Sequence, residues 1–188
     1  MRKDLRVTSH HRRPDTRSGL VFDTHELIRR AGTMREVSRV ADAPADLSID
    51  VIGVPAASPI TLDLRFESVV EGVLVTGTAE AELRGECVRC LDTIEDEITI
   101  DVQKLFLYAG KDEDDEDASR IEDDLIDLEP VLRDAVVLDL PFAPLSRPDC
   151  AGLCPECGVN LNADPDHNHG EAIDPRWGGL AEWGQQEQ

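Results

Sequence analysis

The sequence predicts an α+β fold, in which an antiparallel β-meander is packed by one or two helices and followed by a Cys-rich zinc-knuckle segment. Three observations predict it. Apolar and polar residues alternate along three consecutive stretches, a helical period occurs near residue 130, and three of the five cysteines fall within "DCAGLCPECGVNLN". Alternation with a period of two is typical of strands with one buried face, and 188 residues suffice for a single domain.

The strands follow one another from Ile60. "ITLDLRFESVV" is the first, "GVLVTGTAEAELRGEC" the second and "IEDEITIDVQKLFLY" the third. Short connections join them, so they are expected to pair antiparallel and to leave one face in solvent. A brief helix capped by Asp23 or Thr24 is expected before them, ending at Arg30, whereas residues 31–50 mix signals and predict no element.

One amphipathic helix is predicted in "LIDLEPVLRDAVVLDLP", beginning between Asp127 and Pro130 and ended by Pro141. Its apolar positions lie close to one face, so we expect it to pack on the sheet. These positions are Leu128, Val131, Leu132, Ala135, Val136 and Leu138. Beyond Pro141 only a helical turn carrying Trp177 and Trp183 is expected, either capping the core or facing a partner.

Composition divides the chain into four parts. Residues 1–18 read as a disordered basic tail, and 19–109 as a mainly β region that carries the first CxxC pair. Residues 110–124 read as an acidic loop, and 125–188 as the helix and Cys-rich segment that complete the same domain.

The net charge of −21 is unevenly distributed. Residues 1–18 carry +4, so the remainder carries −25. Such a body repels polyphosphate at long range and suits a basic protein partner. The chain has no apolar run of membrane-spanning length and no secretory signal, so a cytoplasmic location is expected.

The cysteines predict a structural zinc site. Cys87 and Cys90 form one CxxC pair and Cys154 and Cys157 another, and four sulfurs fill a tetrahedral site without an open position. Cys150 is an alternative ligand. Since 63 residues separate the pairs, a shared ion would fasten the C-terminal segment to the sheet. Zinc binding of about 10–16 kcal/mol in small peptides would then dominate the docking of that segment.

Two other interpretations of these motifs remain open. A redox CxxC couple needs a depressed thiol pKa, usually at a helix N-terminus, but no helix is predicted at either pair and acidic surroundings should raise the pKa. His167, His169 and Glu171 could form a second, catalytic metal site, although their Pro- and Asn-rich context favours a solvated loop. The chain shows no nucleophile elbow or phosphate loop, so an enzyme is not predicted.

With these motifs in view, the sequence resembles the YceD family of bacterial and plastid proteins. The resemblance rests on "LRGECVRCLDTIEDEITIDVQKLF", "IDLEPVLRDAVVLDLP", "DCAGLCPECGVNLN" and "IDPRWGGLAEW", in this order from about residue 60 to the end. It implies a cytoplasmic factor that is needed for accumulation of large-subunit ribosomal RNA, in a family for which no enzymatic activity is established.

Three functional hypotheses follow. The leading one is an assembly factor whose acidic residues, 112–117 with 122–124, bind a basic ribosomal protein or a large-subunit precursor. The second binds ribosomal RNA directly through the basic tail, and the third is a metal-dependent RNA-processing enzyme built on His167, His169 and Glu171. The tail residues concerned are Arg2, Lys3, Arg6, Arg12, Arg13 and Arg17.

Overall fold

The computed structural model describes residues 14–28, 31–110 and 118–170. The α+β class is confirmed, because this part of the chain forms antiparallel sheets accompanied by two helices. The elements in chain order are β1 (Val21–Asp23), α1 (His25–Ile28), β2 (Met34–Asp42), β3 (Ile52–Gly53), β4 (Pro59–Ser68), β5 (Gly72–Glu86), β6 (Thr93–Leu107), β7 (Leu125–Asp127) and α2 (Glu129–Asp139).

The centre of the molecule is a five-stranded antiparallel sheet. β4, β5 and β6 are the three strands expected from the alternating pattern, and β5 and β6 pair over 15 residues each, from Gly72 opposite Leu107 to Glu86 opposite Thr93. β4 lies between β2 and β5, and the short β3 pairs with Arg84 and Gly85 of β5 beyond the end of β4. The meander is therefore extended by two strands that the sequence pattern did not predict.

One face of this sheet forms the core. Alternate residues of β4, β5 and β6, among them Leu62, Val75 and Ile100, are almost fully buried. The opposite residues face solvent, as expected for an antiparallel sheet covered on one side.

A two-stranded sheet of β1 and β7 covers one end of the core. The Phe22 ring of β1 lies 5.0 Å from the Phe66 ring of β4, and the Arg39 guanidinium lies 4.5 Å above the Phe22 ring. Arg39 also donates to the carbonyl oxygens of Gly19 and Val21 at 3.1 and 3.3 Å. Since Arg39 belongs to β2, it ties the small sheet to the large one.

Helix α1 is present where a brief helix was expected, and Asp23 Oδ1 accepts the His25 N–H at 2.8 Å. The last two residues of the expected helix, 29 and 30, lie outside the described residues.

Helix α2 packs on the buried face of the sheet through Leu132 and Val136. Its bounds agree with the predicted start before Pro130 and the stop at Pro141. Leu128 has no capping side chain, so Asp127 Oδ1 accepts the first helical N–H, from Glu129, at 2.9 Å. The expectation for Leu138 was wrong, because this side chain is 81% exposed.

Several sequence predictions lie outside the described residues. They concern the basic residues of segment 1–13, the acidic run 112–117, Glu171, and the turn with Trp177 and Trp183. Within the part of the chain that is described, neither helix combines the length and the apolar character needed to cross a membrane.

Candidate metal centres and an acidic sheet face

Cys154, Cys157, His167 and His169 converge into one group, here called the finger group. Cys154 Sγ lies 3.2 Å from His169 Nε2, Cys157 Sγ lies 3.2 Å from His167 Nε2, and the two Nε2 atoms are 3.0 Å apart. In a tetrahedral zinc site with Zn–S of about 2.3 Å and Zn–N of about 2.05 Å, these separations would be about 3.6 and 3.3 Å. The donor atoms therefore fit a zinc ion after an outward shift of about 0.4 Å.

A short hairpin builds the sulfur half of the finger group. Leu153 pairs with Asn160, the Cys154 N–H donates to the Val159 carbonyl at 2.8 Å, and the Gly158 N–H donates to the Cys154 carbonyl at 2.8 Å. Gly158 has a φ of +75°, a conformation that glycine adopts without steric cost. This tight turn is what places two thiols three positions apart on the same side.

Carboxylates face the outer ring nitrogens of both histidines. Glu156 Oε2 lies 3.5 Å from His169 Nδ1, and Asp164 Oδ2 lies 3.8 Å from His167 Nδ1. A carboxylate behind a histidine orients the ring and favours the tautomer whose Nε2 is free to bind metal. At 3.5 and 3.8 Å both contacts are longer than hydrogen bonds, so the structure places these carboxylates near the rings without fixing a tautomer.

The backbone of the knuckle favours a thiolate at Cys154. Hydrogen bonds from the N–H groups of Cys157 and Glu156 lower the pKa of Cys154 to about 6, with a further contribution from His169, against the opposite effect of burial. Thiolates are the form in which cysteines bind metal. The sequence-based expectation that acidic surroundings raise the thiol pKa is wrong for this residue.

Cys87, Cys90 and Cys150 form a second, separate group, here called the three-thiol group. Their sulfurs lie within 4.8 Å of one another, and all three side chains are buried. Cys87 and Cys90 occupy the turn between β5 and β6, as expected, while Cys150 arrives from the segment after α2. None of the five cysteines forms a disulfide.

The two thiols of the first CxxC pair differ in pKa. Burial raises the pKa of Cys87, but N–H groups of Cys90, Ser146 and Arg89 outweigh it and lower the pKa to about 5. The Ser146 hydroxyl lowers the pKa of Cys90, but burial and the thiol's bond to the Asp92 carboxylate, together with Cys87, raise it to about 11.

The structure does not bring the two CxxC pairs into one four-sulfur group. Cys154 and Cys157 are completed by His167 and His169, while Cys87 and Cys90 are completed by Cys150, the alternative ligand of the sequence prediction. The histidines were expected in a separate site or a solvated loop. The signal that could have joined them to the knuckle is the spacing of only ten residues from Cys157 to His167, which is short enough for a local finger.

The solvent side of the sheet is strongly acidic and is here called the acidic face. It comprises the outward residues of β2, β4, β5 and β6, which include ten carboxylates but only Arg65 and Arg84 as cations. Glu82 and Glu97 lie directly opposite each other across β5 and β6. The carboxylates are Glu36, Asp42, Asp63, Glu67, Glu80, Glu82, Glu86, Glu95, Glu97 and Asp101.

Comparison with known proteins gives a family and relatives. Residues 75–182 match the family model described as large ribosomal RNA subunit accumulation protein YceD, a span that includes both cysteine groups. The uncharacterised protein Rv2926c of Mycobacterium tuberculosis is 44% identical over 169 residues, which cover 88% of this chain and 81% of the relative. The uncharacterised protein ML1660 of Mycobacterium leprae is 41% identical over 169 residues, covering 88% of this chain and 77% of the relative.

A more distant relative is the uncharacterised protein YlbN of Bacillus subtilis, 24% identical over 125 residues, which cover 65% of this chain and 73% of the relative. No solved structure matches the chain.

Proposed function

Since this chain belongs to the YceD family of large ribosomal RNA subunit accumulation proteins, we propose that it is a non-enzymatic factor of ribosome biogenesis. The family match is the observation that carries this proposal, and it supports a role related to the large subunit. The finer mechanism that we propose is binding of a basic large-subunit protein, in the cytoplasm, through the acidic face.

The charge of the acidic face supports this mechanism. Ten carboxylates against two arginines give the face a net charge of −8, on a sheet whose other side is the core. Like charges directly opposite on neighbouring strands destabilise a sheet, and the Glu82–Glu97 pair is of this kind, with Arg84 Nη2 at 3.9 Å from Glu82 Oε2 as a partial compensation. A lysine- and arginine-rich partner would relieve this repulsion and bind in place of the phosphates that the partner meets in the ribosome.

The proposed docking surface is the acidic face, because its ten carboxylates lie on one side of one sheet, and the run 112–117 lies outside the described residues. The negative charge of the acidic face also makes it a poor RNA-binding surface, since each phosphate contact would form against a repulsive field. Direct RNA binding through the basic tail remains a separate prediction.

We further propose that the finger group binds one zinc ion with a structural role. Two thiolates and two imidazoles are a ligand set typical of zinc, and they occupy all four tetrahedral positions. A closed site leaves no position for an activated water, which favours structure over catalysis for His167 and His169. The ion would hold residues 153–169 in one local finger.

The test is binding of purified large-subunit ribosomal proteins to the full-length chain at low and high salt. The variant Glu80→Gln, Glu97→Gln removes two charges from the acidic face. The matched control Asp134→Asn, Asp139→Asn removes two charges from exposed positions of α2, which lies on the opposite side of the sheet.

We expect wild type and the α2 control to retain the same basic proteins at low salt and to release them at high salt. The acidic-face variant should retain them several-fold more weakly. Equal retention by all three proteins would refute the acidic face as the docking surface, and metal-dependent cleavage of precursor RNA by wild type would refute the non-enzymatic role.

A further inference from the structure

The three-thiol group has the geometry of a metal site rather than of a disulfide. Cys87 Sγ and Cys150 Sγ are 3.7 Å apart, whereas a disulfide requires about 2.05 Å. Two thiolates bound to one tetrahedral zinc ion at about 2.3 Å would lie about 3.8 Å apart. The observed separation is thus that of neighbouring ligands.

The turn that carries Cys87 and Cys90 is closed in the manner of a knuckle. The Leu91 N–H donates to the Cys87 carbonyl at 3.0 Å, and the Cys87 N–H donates to the Asp92 carbonyl at 2.9 Å. Leu91 has a φ of +61°, an uncommon conformation for a branched side chain. This conformation of the turn places the thiols of Cys87 and Cys90 on the inner side of the turn.

Side chains around the group direct polar atoms at the sulfurs. Asn162 Nδ2 donates to Cys150 Sγ at 3.4 Å, and Ser146 Oγ lies 3.1 Å from Cys90 Sγ. Polar contacts of this kind, above all the Asn162 N–H aimed at Cys150 Sγ, surround the sulfurs of thiolate metal sites. They are an observation independent of the sulfur spacing.

The segment with Cys150 is aligned with the turn by backbone contacts. The Leu153 N–H donates to the Arg89 carbonyl at 3.0 Å, and Arg89 Nη1 donates to the Cys150 carbonyl at 2.9 Å. Gly152 lies so close that an added Cβ would be 3.1 Å from the Arg89 carbonyl oxygen. The ligands from the two parts of the chain are therefore held in register by groups other than the thiols.

We propose that Cys87, Cys90 and Cys150 bind a second thiophilic divalent ion such as zinc, separate from the ion of the finger group. Three thiolates leave one tetrahedral position for a non-protein ligand. Metal binding would displace the proton with which the Cys90 thiol donates to Asp92 Oδ2 at 3.1 Å. This second ion, and not the finger ion, fastens the C-terminal segment to the β5–β6 turn.

The two ions would have different structural effects. The finger group uses ligands from residues 154–169 alone, so its ion orders a local loop. The three-thiol group joins residues that are 63 positions apart in Cys87 and Cys150, so its ion closes a long loop and fixes where the finger sits. This two-ion arrangement is independent of the proposed role in ribosome biogenesis.

The test is native mass spectrometry of the full-length protein purified without chelator. We expect two zinc ions per chain in wild type, one in Cys90→Ser, one in Cys157→Ser and none in the double variant. A single ion in wild type that is lost in both single variants would refute the proposal and restore one shared site. No ion, with a mass lower by two hydrogens, would refute it in favour of a disulfide.

Hydrogen exchange on the same proteins tests the fastening role. In Cys90→Ser we expect residues 150–164 and the β5–β6 turn to lose protection together. In Cys157→Ser the turn should stay as protected as in wild type, which also shows that this variant is folded. Unchanged protection of residues 150–164 in Cys90→Ser would contradict the assignment of the fastening ion.

Discussion

Reversing one charge of the acidic face separates the effect of that charge on folding stability from its effect on partner binding. We consider Glu97→Lys, which converts the like-charged pair with Glu82 into an oppositely charged pair. If the acidic face binds a basic partner, this change should stabilise the free protein and weaken the complex. A surface that served only solubility would show the first effect without the second.

The expected stabilisation follows from the general spacing of directly opposite residues, whose Cβ atoms lie about 5 Å apart in an antiparallel pair. Two unit charges about 6 Å apart in water interact by about 0.7 kcal/mol, and ions at about 0.1 M reduce this to about 0.4 kcal/mol. Changing repulsion into attraction doubles the effect, so the free energy of unfolding should rise by about 0.8 kcal/mol. At about 1 M salt the same change should give only about 0.2 kcal/mol.

Urea unfolding at both salt concentrations measures the stabilisation. The control is the same substitution made in a Glu82→Gln background, where the stabilising effect of Glu97→Lys should largely disappear. Titration with the retained large-subunit proteins measures binding, and we expect a loss of about 1 kcal/mol, or about five-fold in affinity. Lower stability of Glu97→Lys at low salt, or unchanged affinity, would refute the reasoning.

Three further variants test the fold. Asp127→Asn should raise the free energy of unfolding at neutral pH, because burial raises the pKa of Asp127, while the amide oxygen can still accept the first N–H of α2. Arg39→Met should lower it by about 1–3 kcal/mol, through loss of two hydrogen bonds to carbonyl groups and of the contact with the Phe22 ring. Gly72→Ala should lower it by about 3 kcal/mol, because an added Cβ would clash with the Phe106 carbonyl oxygen. Urea unfolding measures all three.

The pH dependence of the free energy of unfolding tests the explanation given for Asp127→Asn. A raised pKa means that the folded state binds the proton more tightly than the unfolded chain, so wild-type stability falls as the pH rises through that pKa. The Asn variant stays neutral, so its advantage should be present at pH 7 and vanish towards pH 4, near the ordinary carboxyl pKa. A constant advantage at both pH values would contradict this explanation, and wild-type stability of Arg39→Met or Gly72→Ala would contradict the contacts assigned to them.

The predictable part of the fold is the part with strong periodicity. β4, β5 and β6 alternate because one face of each is buried, and α2 carries a helical stripe that ends at Pro141. β2 was not predicted because it is an edge strand, in which polar and apolar side chains are both exposed. Arg35 and Val40 are examples. β1 and β7 have three residues each and lie about 100 positions apart, so no local pattern indicates that they pair.

The candidate site was predictable in its parts but not in its pairing. The CxxC spacing indicated two knuckles because that spacing places two sulfurs on one turn, and both turns are present. Which partners complete each knuckle depends on how the segment after α2 returns to the β5–β6 turn. That path brings Cys150 to Cys87 and leaves Cys154 beside His169, an arrangement that long-range packing determines and spacing alone does not.

The most direct test of a role in ribosome biogenesis is the level of large-subunit ribosomal RNA in cells that lack this protein. We predict that the ratio of large- to small-subunit RNA falls in those cells. It should recover with wild type and with the Asp134→Asn, Asp139→Asn control, but not with the Glu80→Gln, Glu97→Gln variant at equal protein level. A normal ratio without the protein would contradict the role, and full recovery with the acidic-face variant would contradict the mechanism.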